Sequence, residues 1–239
     1  MSLLAALFGR RDRPRVLAEP IRAGIARWHA IEAPQLQGPL TSQRWLVVDV
    51  ETTGLDMRRD RLLAIGAVLV EGTTLHIDKS FEVVVKQATA SASDNILIHR
   101  IGGREQVEGV DAAAALVAFL TFAQKLPCVA FHAQFDETML KRAFDEYLGI
   151  DFSTPFIDLA LLAPALIGEA AAGRKSLDDW VDYFGIAISA RHRAVADAVG
   201  TAQLLQILLA RAMAQKIPSA AALFKIAREQ RWLAKINRK

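Results

Sequence analysis

Two acids two residues apart, Asp49 and Glu51, sit at the end of the apolar run Trp45-Leu46-Val47-Val48-Asp49-Val50. Such a run reads as a buried strand, and a strand alternates faces with period two, so both carboxylates point the same way. Side-by-side carboxylates on a buried strand repel each other and resist desolvation, so a cation must compensate them. A pair of divalent metals is the usual compensator. Thr52-Thr53-Gly54 then turns the chain away. No other acid-x-acid spacing occurs in the 239 residues.

The chain is long enough for one domain with extensions, and its 52% apolar content suits a folded globular protein. No apolar run approaches the ~18 residues of a membrane span. The short Leu3–Phe8 run precedes its arginines, the wrong order for a secretory signal. A lone cysteine, Cys128, allows no internal disulfide and no cysteine-rich zinc site, and the expected location is the reducing cytoplasm. Cys128 itself is expected to be an inert core residue.

Charge is unevenly placed. Residues 1–44 carry +4, residues 45–209 carry −8 and residues 210–239 carry +7. An acidic body suits metal ligands, and basic ends suit a polyanion or a solvated helix face.

Helical spacing over 16–31 stops at Ala33-Pro34, and 33–43 reads as a linker. Strands are expected near 44–50, 61–71 and 74–86, with Gly72-Thr73 as a tight hairpin between the second and third. A helix over 111–125 opens on Asp111 as its cap. Then come a short apolar strand at 127–131, a helix at 136–148 ending at Gly149, and a strand near 155–158. Helices follow at 158–168, at 176–184 with Ser176 as cap, at 193–216 and at 218–236. Three antiparallel strands followed by helical crossovers make a mixed, five-stranded α/β sheet flanked by helices. The domain expectation is an N-terminal helical extension and linker at 1–43, a catalytic body at 44–210 and a basic C-terminal helix at 211–239.

Two further segments extend the acidic pair. Phe135-Asp136 places an acid just beyond the fourth strand, where open α/β sheets gather ligands. Asp136 could equally cap the helix that follows. His192-Arg193-Ala194-Val195-Ala196-Asp197 places an imidazole in a loop and an acid one turn into a helix. His132 reads as a hydrogen-bonded structural histidine, and Asp158 as a helix cap outside the site.

This set resembles the DEDDh 3′–5′ exonucleases, the DnaQ-like family that includes proofreading subunits of bacterial replicative polymerase. The motifs are Asp49-Val50-Glu51-Thr52-Thr53-Gly54, then Phe135-Asp136 with Ala133 before it, then His192-x-Ala194-x-x-Asp197-Ala198. The resemblance covers roughly 44–210 and implies a ribonuclease H-like fold. The chain departs from the family at Phe131-His132, where His-Asn is usual, and at Arg100, which replaces a glycine in the element Ile98-His99-Arg100-Ile101-Gly102.

The resemblance implies phosphodiester hydrolysis with two Mg²⁺ or Mn²⁺ ions, about 3.5–4 Å apart, on oxygen ligands. Asp49 would bridge both ions, Glu51 and Asp197 would serve one, and Asp136 would act on the other through water. His192 would deprotonate the attacking water, as an imidazole of pKa near ~6.5 can at neutral pH. Val50, Thr52, Thr53, Leu55 and His99 would border the 3′-terminal nucleotide. The implied substrate is the 3′ end of a single-stranded nucleic acid, DNA in proofreading or repair, with a nucleoside 5′-monophosphate as product. A DNA polymerase supplied in trans is the implied protein partner. RNA trimming by the same fold, or a non-catalytic adaptor bound to a polymerase or another protein, are the alternatives. An adaptor would be marked by a missing acid or histidine, and none is missing.

Overall fold

The structure is a computed structural model that describes residues 16–188 and 193–236. Five strands form one sheet: β1 (Arg44–Thr52), β2 (Leu62–Glu71), β3 (Thr74–Val84), β4 (Cys128–Ala130) and β5 (Phe156–Asp158), in the order β3-β2-β1-β4-β5. β1–β2 and β2–β3 are antiparallel, while β1–β4 and β4–β5 are parallel. The mixed sheet is the one expected from the strand and crossover pattern.

β1 sits at the centre with both faces covered. Leu46, Val48 and Val50 enter one core, and Trp45 and Val47 enter the other. Asp49 and Glu51 continue the second series, so the alternation that buries the strand also aims both acids at one layer.

The first layer contains α1 (Glu19–His29), α4 (Ala112–Ala123) and α5 (Gln134–Leu148). It packs around the rings of Phe119, Phe144 and Phe152. The second layer contains α6 (Leu159–Ile167), α7 (Leu177–Phe184), α8 (Ala194–Ala214) and α9 (Ala220–Ile236). Two short helices, α2 (Ser93–His99) and α3 (Gly103–Glu108), lie between β3 and α4; the sequence reading did not anticipate them.

Local chemistry sets several boundaries. Asp111 accepts from the N–H groups of Ala113 and Ala114 and caps α4. Ser176 and Asp179 form a capping box on α7. Gly149 ends α5 in the left-handed conformation. The β2–β3 hairpin turns at Gly72, whose φ of +55° and contact with the Thr41 carbonyl leave no room for a side chain.

The flanking segments α1, 33–43 and α9 are docked on the body. Trp28 of α1 is buried, and its indole N–H donates to the Gln124 carbonyl at 2.5 Å. Segment 33–43, expected as a linker, is tied to the start of α9 through a Pro39–Ser219 bridge and an Ala221 N–H to Leu36 carbonyl bond. Phe224 of α9 stacks on Trp45, and Leu223 and Ala227 are buried. Position 210 lies inside α8. Cys128 is fully buried, and burial pushes its thiol up, so it is inert core. Among the described residues, no helix is long and apolar enough to cross a membrane.

Candidate active site

The C-terminal ends of β1, β4 and β5 open on one side of the sheet, the side where parallel strands gather ligands. β1 supplies Asp49 and Glu51. α8 crosses β1 and β2 on the face these acids share and supplies Asp197 from its first turn. Carboxylate oxygens of Asp49, Glu51 and Asp197 lie within 4.8 Å of one another. Asp49 and Glu51 are half-buried and Asp197 is buried.

Gly66 makes this convergence possible. It is the cross-strand partner of Asp49, and a side chain at 66 would overlap the backbone of Ala194 and Val195. The start of α8 therefore rests directly on β2, which brings Asp197 down to the strand acids. A register shift between Glu51 and Thr52 ends the pairing at the same place, as bulges beside functional sites commonly do. The sequence reading missed Gly66. Its signal was a single glycine in the otherwise apolar run Leu62–Val70.

Asp136 stands beside the three-acid group without belonging to it. It lies in the first turn of α5, whose N-cap is Ala133, so Asp136 is not the cap. Its Oδ1 instead accepts the Val50 N–H at 3.1 Å, which fastens α5 to β1. Burial pushes its carboxyl up to about 8, reinforced by the nearby charges of Asp158 and Glu51 and opposed by backbone hydrogen bonds. Asp158 caps α6 through the Ala160 N–H and also accepts the His132 N–H, each at 3.0 Å. Its carboxyl is raised too, chiefly by burial. Asp158 thus ties the β4–α5 turn to β5, in addition to the capping role expected from sequence.

His192, the expected general base, lies outside the described residues, directly before Arg193, the N-cap residue of α8. Of the residues expected at the nucleotide, Leu55 is 86% exposed and Val50 is core. Thr52 is buried, its hydroxyl donating to the Gly54 carbonyl at 2.6 Å. The Thr53 hydroxyl donates to Asp60 at 2.8 Å. His99 is buried, with Nδ1 accepting the Ile101 N–H and Nε2 2.6 Å from Asn95 Oδ1. That pattern makes Nε2 the protonated nitrogen. Burial holds the pKa of His99 below the ordinary histidine value. Asn95 in turn donates to the Thr52 carbonyl at 3.2 Å, so His99 reaches the end of β1 through one side chain.

Both departures from the family pattern fall on left-handed backbone. Arg100, standing for a glycine, has φ +57°, and His132, standing for an asparagine, has φ +59°. Glycine and asparagine are the residues that adopt this region most readily. His132, expected as a hydrogen-bonded structural histidine, is exposed in a turn just beyond β4.

The donor set fits hard divalent cations. Three carboxylates converge from two elements, with a fourth adjacent, and all offer oxygen. The fold agrees with known proteins. A family model described as RNase_T: Exonuclease matches residues 46–205. The chain is 31% identical over 165 residues to a DNA polymerase III PolC-type of Thermotoga maritima, covering 67% of this chain and 11% of that protein. It is 31% identical over 186 residues to a DNA polymerase III subunit epsilon-like protein of Rhodobacter capsulatus, covering 74% of this chain and 25% of that one. The chain thus spans a quarter or less of these relatives. Among solved structures, E. coli Exonuclease I in complex with a dT13 oligonucleotide superposes with a TM-score of 0.61 at 18% identity, over 73% of this chain and 42% of that one. Exonuclease X in complex with 5′ overhanging duplex DNA gives 0.60 at 18% identity, over 77% of this chain and 99% of that one.

Proposed function

The chain belongs to the RNase_T exonuclease family, and from that premise we propose that it is a 3′–5′ exonuclease that removes nucleoside 5′-monophosphates from single-stranded DNA ends. The convergence of Asp49, Glu51 and Asp197 within 4.8 Å carries this reading. Asp49, Glu51 and Asp197 would hold one Mg²⁺ or Mn²⁺, and Asp49 and Asp136 would hold a second. Bound there, such cations supply charge stabilisation for the attacking and leaving oxygens.

The protein's own groups do the rest. His192 takes the proton from the attacking water. Asp136, anchored on the Val50 N–H, fixes α5 against β1 at the second position. Leu55 and the Thr52-Thr53 backbone border the terminal nucleotide, and His99 braces Thr52 through Asn95. DNA is supported as substrate by the DNA polymerase III relatives and by the DNA-bound structures of the same fold. A polymerase is the proposed protein partner, on the strength of the DNA polymerase III relatives.

A 5′-labelled single strand incubated with Mg²⁺ or Mn²⁺ should shorten stepwise from its 3′ end, and EDTA should stop it. A matched RNA strand in the same assay tests the choice of sugar. Full-length DNA after incubation with either metal would overturn the proposal and favour an adaptor.

A further inference from the structure

The loop that leaves β1 after Glu51 and Thr52 and leads to β2 presents Leu55 at 86% exposure. An isolated surface leucine needs no explanation, but the carriage of this one is unusually complete. Asp60 accepts the Thr53 hydroxyl on Oδ1 at 2.8 Å and the Asp56 N–H on Oδ2 at 2.7 Å. The Thr53 hydroxyl oxygen accepts the Arg61 N–H at 2.9 Å, and Thr53 and Arg61 also pair through their backbones at 2.9 Å. A side chain at Gly54 would push on the Asp60 carboxylate. From the neighbouring layer, Arg142 of α5 donates Nη1 to the carbonyls of Met57 and, at 3.1 Å, Asp60. The loop is therefore stapled inside by one carboxylate and tied by one guanidinium to the helix that carries Asp136.

We infer that Asp60 and Arg142 are positioning residues that hold loop 53–61 in one conformation, so that Leu55 meets the terminal nucleotide at a fixed place relative to the carboxylates. This rests on the exonuclease reading. Neither residue touches the reacting atoms. Both act through the loop, and alignment of this kind is worth large factors in rate or binding. An amide at 60 keeps one acceptor in place of two: with its oxygen on the Asp56 N–H, its NH2 faces the Thr53 hydroxyl, which must then turn its own proton away, and both bonds lose the carboxylate's charge.

The test compares wild type with Asp60→Asn, Asp60→Glu, Arg142→Met and Arg142→Lys on two substrates in Mn²⁺. A single-stranded oligonucleotide reads nucleotide placement. Bis(p-nitrophenyl) phosphate, which has no sugar or base, reads the metal centre alone. Asp60→Asn and Arg142→Met should raise KM for the oligonucleotide about tenfold, with bis(p-nitrophenyl) phosphate hydrolysis and Mn²⁺ binding within twofold of wild type. Arg142→Lys, which keeps a donor to one carbonyl, should recover part of the loss, as should Asp60→Glu. An unchanged oligonucleotide KM, or an equal loss on both substrates, overturns the assignment. Wild type inert on both substrates would instead remove the exonuclease reading itself.

Discussion

Gly66 faces Asp49 across β1 and β2, and the backbone of Ala194 and Val195 fills the space that a side chain at 66 would take. The start of α8 thus abuts the sheet at the residue opposite the first acid. Gly66→Ala should displace the start of α8, and Asp197 with it. The overpacking should cost about 1–3 kcal/mol and misplace a ligand enough to lower the rate about 100-fold. Gly72→Ala, in the distant hairpin, should lose stability by denaturant melts without the rate loss. Full activity in Gly66→Ala would refute the relationship.

Asp136 gives a pH dependence whose sign follows from its raised carboxyl. Its folded value of about 8 lies above the ordinary 3.8. The folded state therefore holds the proton more tightly than the unfolded state, and this contribution is fully present below 3.8 and lost as pH rises through 8. Metal-free protein should melt at progressively lower temperature across that window, and Asp136→Asn should flatten the trend. Cation binding at pH 7 should also release a proton, visible as a buffer-dependent heat. A melting temperature that rises over the window in metal-free wild type would contradict this.

Arg100 caps α2 with φ +57° where the family element carries glycine. Arg100→Gly should relieve left-handed strain of about 1–2 kcal/mol, partly offset by the entropy of the unfolded glycine. A small rise in stability by urea titration is expected. A clear fall would mean that the arginine side chain contributes more than its backbone costs.

The basic C-terminal helix cannot be tested by removal, because Leu223 and Ala227 are buried and Phe224 stacks on Trp45. Substituting the charges of Arg228 and Arg231 is the cleaner test of strand binding. If both neutralise phosphates, Arg228→Ser with Arg231→Ser should reduce the salt slope of single-strand binding by about 1.4, roughly 0.7 per contact. An unchanged slope assigns this face to another role.

The contrast between what was legible and what was not has a physical basis. Strands β1 to β3, the Asp111 and Ser176 caps and the Gly149 stop announce themselves locally, through period, side-chain chemistry and backbone freedom. The acid spacing at 49 and 51 was legible because one strand fixes both directions. Helices α2 and α3, at seven and six residues, are too short for a repeating pattern. Asp136 looked like a cap because capping is a local rule, whereas its carboxylate is taken by Val50, 86 residues away. Gly66, Asn95, Asp60 and Arg142 owe their roles to contacts across elements that no local window contains.

The central claim is that Asp49, Glu51 and Asp197 converge as a seat for divalent cations. The most direct measurement is thermal unfolding of wild type and Asp49→Ala with and without saturating Mn²⁺. Binding to the folded state alone should raise the wild-type transition by mass action, about 2.7 kcal/mol at a hundredfold excess over Kd. Asp49→Ala should show little rise and, metal-free, should be at least as stable as wild type, because like-charge crowding is relieved. No shift in wild type, or the same shift in both proteins, would contradict the claim.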